Sequence, residues 1–424
     1  MDAFSELKVL DFSRYLPGGY CTQMLADMGA RVIKVEDTNT GDMCRDDYPI
    51  RNGVSYYITA LGRNKESVSL NLKDPDAVRW LHKMAEDADI LVESFRPGVT
   101  KKLGMDYETM KAINPKIIYC SITGYGEFDP RSKKASHDLN MQAATGYLDI
   151  NGTQITPLPL VDVATHSVAG QAILAALLQR AATGQGSFVD ISMFDCFVWW
   201  NSMLDSRWCF NGGQLLREDL DFPAVNYNIY ETKDGGHLAF GMIELKFWRG
   251  WCEAVGRPDL VEWHMYRRWK APWAFESVER IVKSKTLAEW VDWLADKDLC
   301  IEVVASKNEG IKKILDTEPN MMRYVDFPQA GHVIQTGIPH HVSSIPFDLS
   351  TVSEASGLGA DTASCLEEAG ATPQEVAEMA DRGAICLGKP PLEDNVPLYK
   401  GMEESFTPYR ARKNTAPLPS PATA

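Results

Sequence analysis

Short apolar runs alternate with amphipathic segments through the first third of the chain. Apolar residues at 7–11 and 31–36 predict two strands, and the segment at 21–28 between them predicts a helix that follows a glycine-containing turn. Two further strands are predicted at 90–93 and 117–122, and helical segments separate them from their neighbours. Strands and helices in this order form parallel sheets, so the pattern predicts a doubly wound α/β domain.

Two loops that follow predicted strands are candidates for binding a ligand. Residues 94–98 follow one strand, and residues 123–126, which include Gly124 and Tyr125, follow another. In doubly wound sheets, ligands bind outside the carboxyl ends of the strands. We therefore expect both loops to lie at a binding site.

A shift in composition divides the rest of the chain. Tryptophan becomes frequent from about residue 199, and the alternating residues on both sides of Asp234 and Gly235 predict a β-hairpin. A chain of 424 residues also exceeds the size at which one hydrophobic core usually stops growing. We therefore expect four regions: a large domain at 1–210, a linker near 211–224, a smaller α+β domain at 225–310, and a segment at 325–424 that returns to complete the large domain and ends in a tail.

Net charge and cysteine spacing exclude several classes of partner. The formal net charge is −15 and the isoelectric point is near 5.1, which disfavours non-specific binding to nucleic acid or to an anionic membrane. The nine cysteines are scattered without CxxC spacing, so we expect reduced thiols and no metal site. No apolar run appears long enough to span a membrane and the first residues do not form a signal sequence, which predicts a cytoplasmic protein.

Four side chains are candidates for catalysis. His137 and Asp138 adjoin in a polar segment, where a histidine suits a general base, although an ordinary surface loop has the same composition. Asp162 stands among apolar residues just before a predicted buried helix, where it is either a partly buried reactive carboxylate or a helix cap. Glu244 closes an apolar strand, and the alternative is a solvated residue at the start of a helix.

Basic residues near predicted strand ends suit the neutralisation of phosphate groups, although lysine and arginine on surface loops are often only solvated. These residues are Lys34, Arg63, Lys65, Arg96, Lys101 and Lys102. No P-loop, GxGxxG or GxSxG motif appears in the sequence. A phosphate-bearing ligand would therefore have to be held by dispersed side chains.

Several motifs together resemble the class III CoA-transferase family, also called the CaiB/BaiF type. They lie at residues 8–12, 25–36, 62–65, 92–98 and 183–186. The resemblance implies a Rossmann-like large domain plus a smaller domain, in an interlocked homodimer where the partner's small domain closes the site. A hetero-oligomer is the alternative assembly.

The resemblance also implies which residues hold the CoA part of an acyl-CoA thioester. Arg63, Lys65 and Arg96 match positions near the CoA phosphates or adenine. We count Lys34, Gly124 and Tyr125 with them as CoA-binding candidates. Neither a metal nor a cofactor other than substrate CoA is implied.

Within this family the sequence is most similar to the α-methylacyl-CoA racemases. The histidine and aspartate of the racemases match His137 and Asp162, and two assisting carboxylates match Asp138 and Glu244. We therefore predict an acyl-CoA racemase or epimerase that inverts the α-carbon of a 2-methyl or other 2-substituted acyl-CoA by proton exchange between two bases.

The alternative is a class III CoA-transferase, in which Asp162 attacks an acyl-CoA and carries an acyl anhydride before CoA passes to a carboxylic acid. Met141 and residues 163–166 depart from the racemase pattern, which usually has tyrosine and glycines there. A catalytically silent CoA-binding subunit is a third possibility. The tryptophans suggest a bulky apolar or aromatic acyl group, but they equally suit a protein core.

Overall fold

The computed structural model describes residues 4–214 and 223–390. The chain forms two compact units, which we call the large unit (Met1–Met203 with Pro319–Ala424) and the small unit (Leu204–Glu318). Most of the predicted linker at 211–224 and the predicted tail after residue 406 lie outside the described residues.

The large unit contains most of the helices and strands. In chain order, its first part contains β1 (Lys8–Phe12), α1 (Tyr15–Asp27), β2 (Arg31–Glu36), β3 (Ile50–Arg51), β4 (Val54–Ser55), α2 (Tyr56–Leu61), β5 (Lys65–Leu70), α3 (Pro75–Ala85), β6 (Ile90–Glu93), α4 (Val99–Lys102), α5 (Tyr107–Ile113), β7 (Ile118–Thr123), α6 (Asp138–Ala144), α7 (Tyr147–Ile150), α8 (Leu160–Thr183) and β8 (Ser187–Ser192). Helix α9 (Met193–Phe210) then runs into the small unit.

The small unit and the returning segment complete the chain. The small unit contains β9 (Tyr227–Glu231), β10 (His237–Gly241), α10 (Leu245–Ala254), α11 (Pro272–Val282), α12 (Leu287–Leu294), β11 (Ile301–Val303) and α13 (Lys307–Thr317). The returning segment of the large unit contains β12 (Met322–Phe327), β13 (Gly331–Thr336), α14 (Thr362–Glu368), α15 (Pro373–Asp381) and β14 (Ile385–Cys386).

A seven-stranded sheet organises the large unit. Its strand order is β14-β5-β2-β1-β6-β7-β8, with all strands parallel except β14, which pairs antiparallel with β5. The six parallel strands therefore have the Rossmann order, and the chain reverses direction across the sheet between β1 and β6. This confirms the predicted α/β class with a Rossmann-like large domain, and it places a ligand crevice at the carboxyl ends of β1 and β6.

Both faces of this sheet are covered, which explains the nearly continuous apolar runs of its strands. Leu10 of β1 packs on one face in a cluster with Trp80 of α3. Its neighbour Val9 points to the other face and packs with Leu25 of α1 and Ile173 of α8. Because successive strand residues point to opposite faces, a strand covered on both faces is apolar throughout.

One buried carboxylate joins four elements at the carboxyl end of β1. Asp11 is fully buried, and its side chain accepts hydrogen bonds from Thr22 on α1 at 2.6 Å and from Lys65 on β5 at 3.2 Å. The ammonium group of Lys34 on β2 lies 3.9 Å away. Burial by itself would raise the pKa of Asp11, but the charges of Lys34 and Lys65 hold that pKa below its ordinary value. The carboxylate is therefore ionised, and it fixes α1 against the centre of the sheet.

The small unit has a three-stranded antiparallel sheet in the order β11-β10-β9. Its β9–β10 hairpin turns at Asp234 and Gly235, and Gly235 has a φ of +83°, which glycine adopts easily. The helices pack on this sheet around fully buried tryptophans, among them Trp248, Trp251 and Trp290. These tryptophans fill the core of the small unit.

Helix α8 corrects the expectation that no segment reaches membrane-spanning length. It has 24 residues and is the one helix among those described that is long and apolar enough to cross a membrane. Its leucines, valines and alanines together produce this property. Ile173 and Ala169 pack in the core against the sheet, so α8 is explained as a core helix.

We expect Asp11→Ala to lower the free energy of unfolding by about 3–5 kcal/mol, because it leaves the buried ammonium group of Lys65 without its carboxylate partner. Urea denaturation of the full chain measures this loss. The control is Asp87→Ala, which removes an exposed partner of Lys8 on the same strand and should cost far less. Similar small losses for both variants would contradict the role given to Asp11.

Candidate functional site

Asp162 is the carboxylate on which the candidate site centres. It is the third residue of α8, so it lies in the first helical turn. The sequence suggested instead that Asp162 precedes the helix or caps it. The side chain is half-buried, and no ion pair or hydrogen bond within the described residues neutralises it. Burial raises the pKa of Asp162 to about 7, and the charge of Asp138 adds to the rise. The site thus holds an unpaired carboxyl group that ionises near neutral pH.

Asp138 reaches this site because it ties two helices together. It is the first residue of α6, and its Oδ1 accepts a hydrogen bond at 2.7 Å from the main-chain N–H of Val161 on α8. Its Oδ2 accepts another at 2.6 Å from the amide of Gln142. The first N–H groups of a helix have no partner inside that helix, and Asp138 satisfies one of them. The same contact fixes a negative charge beside Asp162.

The other two predicted catalytic residues are exposed in the structure. His137 is exposed at the start of α6, where its main-chain N–H donates to the side chain of Asn140 at 3.0 Å. Within the described residues, no hydrogen bond or ion pair joins the His137 imidazole to Asp162. Glu244 belongs to the small unit and is exposed at the start of α10. The catalytic roles of these residues stay predictions.

Two aromatic pairs lie near Asp162. Burial raises the pKa of the Tyr57 phenol on α2, and the charge of Asp162 is among the nearby charges that add to the rise. The ring of Tyr57 packs edge-on against Tyr15, with 6.3 Å between their centroids. His166 follows Asp162 by one helical turn, and its ring centroid lies 5.2 Å from that of Tyr20 on α1. Burial lowers the pKa of His166, so its imidazole is neutral at pH 7.

A separate cavity of about 370 Å³ opens at the carboxyl ends of β1, β2 and β5 and beside the loop after β6. Its lining includes Ser13, Arg14, Asp37, Asn71, Lys73 and Phe95. The guanidinium of Arg14 lies 3.6 Å from Asp37 and 5.5 Å from the ring centroid of Phe95. Lys73 is exposed and has no ion-pair partner among the described residues. This is the crevice that the strand order predicts.

Three of the basic residues predicted to bind CoA are buried in ion pairs. The pairs are Lys34–Asp42 at 2.8 Å, Arg63–Asp27 at 2.6 Å and Lys65–Asp11 at 3.2 Å. Their charges are thus neutralised within the protein, and each holds one part of the large unit to another. Arg96 differs, because it is exposed in the loop after β6 and has no ion-pair partner among the described residues.

Gly124 and Tyr125 pack beneath the site. A Cβ added to Gly124 would lie 2.4 Å from the hydroxyl of Ser136, so the loop leaves no room for a side chain. The Tyr125 ring is buried in a cluster with Val161 and Ala164 of α8. These contacts support the turn that carries Asp162.

Sequence reasoning missed four residues of these two sites. Arg14 and Lys73 follow the carboxyl ends of β1 and β5. Doubly wound sheets bind ligands at these ends, so the positions of both residues were a signal for a binding site. Tyr20 and Tyr57 gave no comparable signal, because their approach to α8 depends on how the helices pack. Within residues 4–214 and 223–390, no group of three or more His, Cys, Asp or Glu side chains is placed to hold a metal ion.

Comparison with known proteins identifies the family to which the chain belongs. The model of the CoA-transferase family III matches residues 4–362, and the chain belongs to that family. It is 30% identical to the formyl-CoA:oxalate CoA-transferase of Escherichia coli O157:H7, over 89% of this chain and 98% of that protein. It is 34% identical to the succinyl-CoA:glutarate CoA-transferase of Mus musculus, over 63% of each. The chain thus spans just under two thirds of the mouse relative.

Solved structures agree with this assignment. The Mycobacterium tuberculosis protein Rv3272 has a TM-score of 0.71 and 27% identity, covering 84% of this chain and 97% of that chain. A CaiB/BaiF family protein from Brucella suis has a TM-score of 0.74 at 24% identity, covering 87% and 99%, and so supports the fold. The relatives named here for a reaction are CoA-transferases, which favours the transferase alternative over the racemase.

We expect Asp138→Asn to move the titration of Asp162 to lower pH. The substitution removes the nearby negative charge, whereas burial still holds the pKa of Asp162 above its ordinary value. The asparagine oxygen still accepts the hydrogen bond from Val161, so the helix contact survives. Carbon-13 NMR of aspartate-labelled protein measures the midpoint, with the exposed Asp149→Asn as control. An unchanged or higher midpoint would show that Asp138 does not act on Asp162.

Proposed function

We propose that the chain is a class III CoA-transferase that moves CoA from an acyl-CoA to a free carboxylic acid through Asp162. The observation that carries this proposal is the unpaired, half-buried carboxylate in the first turn of α8. A carboxylate free of a salt bridge and partly withdrawn from water is a stronger nucleophile than a paired or fully solvated one. The transferase names of the relatives support the same chemistry.

Racemisation is the less supported function. It needs a second base on the opposite face of the thioester α-carbon, and His137 is the candidate that the sequence offered. That histidine is exposed and shares no hydrogen bond with Asp162 among the described residues. A nucleophilic mechanism makes no demand on His137.

Atom balance defines the steps at Asp162. Its carboxylate oxygen bonds to the thioester carbon, the C–S bond breaks and CoA leaves as a thiolate, which forms an aspartyl anhydride. The thiolate then attacks the aspartyl carbonyl and releases the donor acid, which takes one aspartate oxygen with it. The acceptor carboxylate displaces the thiolate from the aspartyl thioester, and the thiolate finally attacks the acceptor carbonyl and frees Asp162. Each cycle therefore replaces one oxygen of Asp162 with one from the acceptor.

The position of Asp162 helps these steps. Negative charge develops on the thioester oxygen during attack, and the N-terminal end of a helix carries partial positive charge. Asp162 lies in the first turn of α8, so the reacting carbonyl would meet this end of the helix. The raised pKa also means that the nucleophile becomes available as the pH rises through about 7.

The cavity at the carboxyl ends of β1 and β2 suits the nucleotide part of CoA. Arg14 and Lys73 on its lining, with Arg96 on the adjacent loop, supply positive charge for phosphate groups. CoA enters as part of the substrate, and the proposed steps require no other cofactor. We further expect a homodimer, because α9 leaves Trp199, Met203 and Phe210 exposed in the single chain.

We expect Asp162→Asn to reduce CoA transfer by at least about 1000-fold, because an amide does not attack a thioester. Transfer is measured by chromatography of CoA thioesters from an acyl-CoA and a carboxylic acid, with Asp149→Asn as the matched control. Proton NMR in deuterium oxide tests for racemisation, which is the outcome that would contradict the proposal. Loss of the α-proton of a 2-methylacyl-CoA without any acceptor, in protein that forms no new thioester, would replace the transferase with a racemase.

A further inference from the structure

We infer that the acid activated at Asp162 has an uncharged aromatic or other flat apolar tail, and that Tyr20 and His166 select it. This inference rests on the proposed transferase function and names its substrate class. It departs from the relatives, whose printed names refer to the dicarboxylic succinyl group, glutarate and oxalate and to the small formyl group, none of which is aromatic.

Tyr20 and His166 form an aromatic pair one helical turn from Asp162. Residues four apart on a helix share a face, and side chains lean toward the helix N-terminus. His166 therefore lies over the turn that carries Asp162, and its neutral ring meets Tyr20 at 5.2 Å with an angle of 35° between the rings. Tyr20 is 38% exposed, so part of its ring is free to contact a ligand. An acyl group bonded to Asp162 would extend along these two rings.

A further aromatic ring, that of Tyr57, also lies near Asp162. The charge of Asp162 contributes to the raised pKa of the Tyr57 phenol, and the Tyr57 ring packs against Tyr15 and Tyr56. Aromatic rings near Asp162 favour a flat or aromatic tail, since aromatic pairs gain about 0.5–1.5 kcal/mol beyond the burial of their area.

Charge argues in the same direction. Among the described residues, Asp138 is the charged group that acts on Asp162, and it is negative. The second carboxylate of a dicarboxylic acid would meet the like charge of Asp138 there, because Asp162 itself is uncharged while it is an anhydride or a thioester. A neutral tail avoids this repulsion.

The test uses the full-length protein and isotope exchange between an acyl-CoA and its own carbon-14-labelled acid, so that each pair reports one acyl group. Benzoyl-CoA with benzoate and phenylacetyl-CoA with phenylacetate are compared with succinyl-CoA with succinate and glutaryl-CoA with glutarate. We expect kcat/KM for the two aromatic pairs to exceed that for the dicarboxylates by at least about tenfold.

Variants then assign the selection to named side chains. Tyr20→Ala should lower kcat/KM for the aromatic pairs by about three- to tenfold, mainly through KM, and leave the dicarboxylate pairs nearly unchanged. Tyr20→Phe should restore the aromatic rates, because it keeps the ring, and His166→Ala should resemble Tyr20→Ala. The matched control is Tyr324→Ala on the β12–β13 hairpin, a 41% exposed tyrosine that stacks on His332.

The outcomes separate this inference from the function on which it rests. Faster exchange of succinate or glutarate than of both aromatic acids overturns the inference and leaves the transferase intact. An equal loss for all pairs in Tyr20→Ala overturns the selective role of Tyr20. No exchange with any acid overturns the transferase and the inference together. The wild-type comparison decides the substrate class even where a variant fails to fold.

Discussion

The buried carboxylate of Asp11 is the constraint on which the large unit depends. A charge with no access to water is tolerated only where opposite charges and hydrogen bonds replace its hydration, and Lys34, Lys65 and Thr22 supply these. Because the partners belong to β2, β5 and α1, this single group sets the position of α1 on the sheet. The crevice at the end of β1 and the placement of Tyr20 both follow from that position.

A second carboxylate, Asp138, joins α6 to α8 beside Asp162. It satisfies a free N–H at the start of α8 and so places its charge beside Asp162. The arrangement has a cost in stability. The pKa of Asp162 is higher in the folded protein than in the unfolded chain, so its stabilising contribution is present at low pH and is lost as the pH rises from its ordinary value of 3.8 toward about 7. The protein thus holds its nucleophile in a position that favours reaction over stability.

Much of the fold could be predicted from the sequence because it depends on local patterns. The strands at 31–36 and 90–93 have the predicted bounds, and the apolar runs correctly indicated a sheet covered on both faces. The predicted buried helix begins before Asp162 rather than after it, at Leu160, because the first turn is held by Asp138 and not by a capping residue of its own.

The site was less predictable because it depends on contacts between distant residues. Lys34, Arg63 and Lys65 have the composition and position of phosphate-binding residues, yet their charges are used in buried pairs with carboxylates elsewhere in the chain. The reverse holds for Tyr20 and Tyr57, whose relation to Asp162 appears only when α1, α2 and α8 are packed. The local sequence pattern also could not distinguish a racemase from a transferase, because Asp162 suits both chemistries.

Transfer of oxygen to Asp162 tests the central claim most directly. The protein is incubated with an acyl-CoA and an acceptor acid labelled with oxygen-18 in both carboxylate oxygens, and the peptide that contains Asp162 is then analysed by mass spectrometry. Each cycle of the proposed steps leaves one acceptor oxygen on the Asp162 carboxylate, so this peptide should gain about 2 mass units after one turnover and up to about 4 after many, and fragmentation should place them on Asp162. An Asp162 that stays unlabelled while labelled acyl-CoA accumulates would contradict the account, because CoA would then have passed to the acceptor without a bond to this residue.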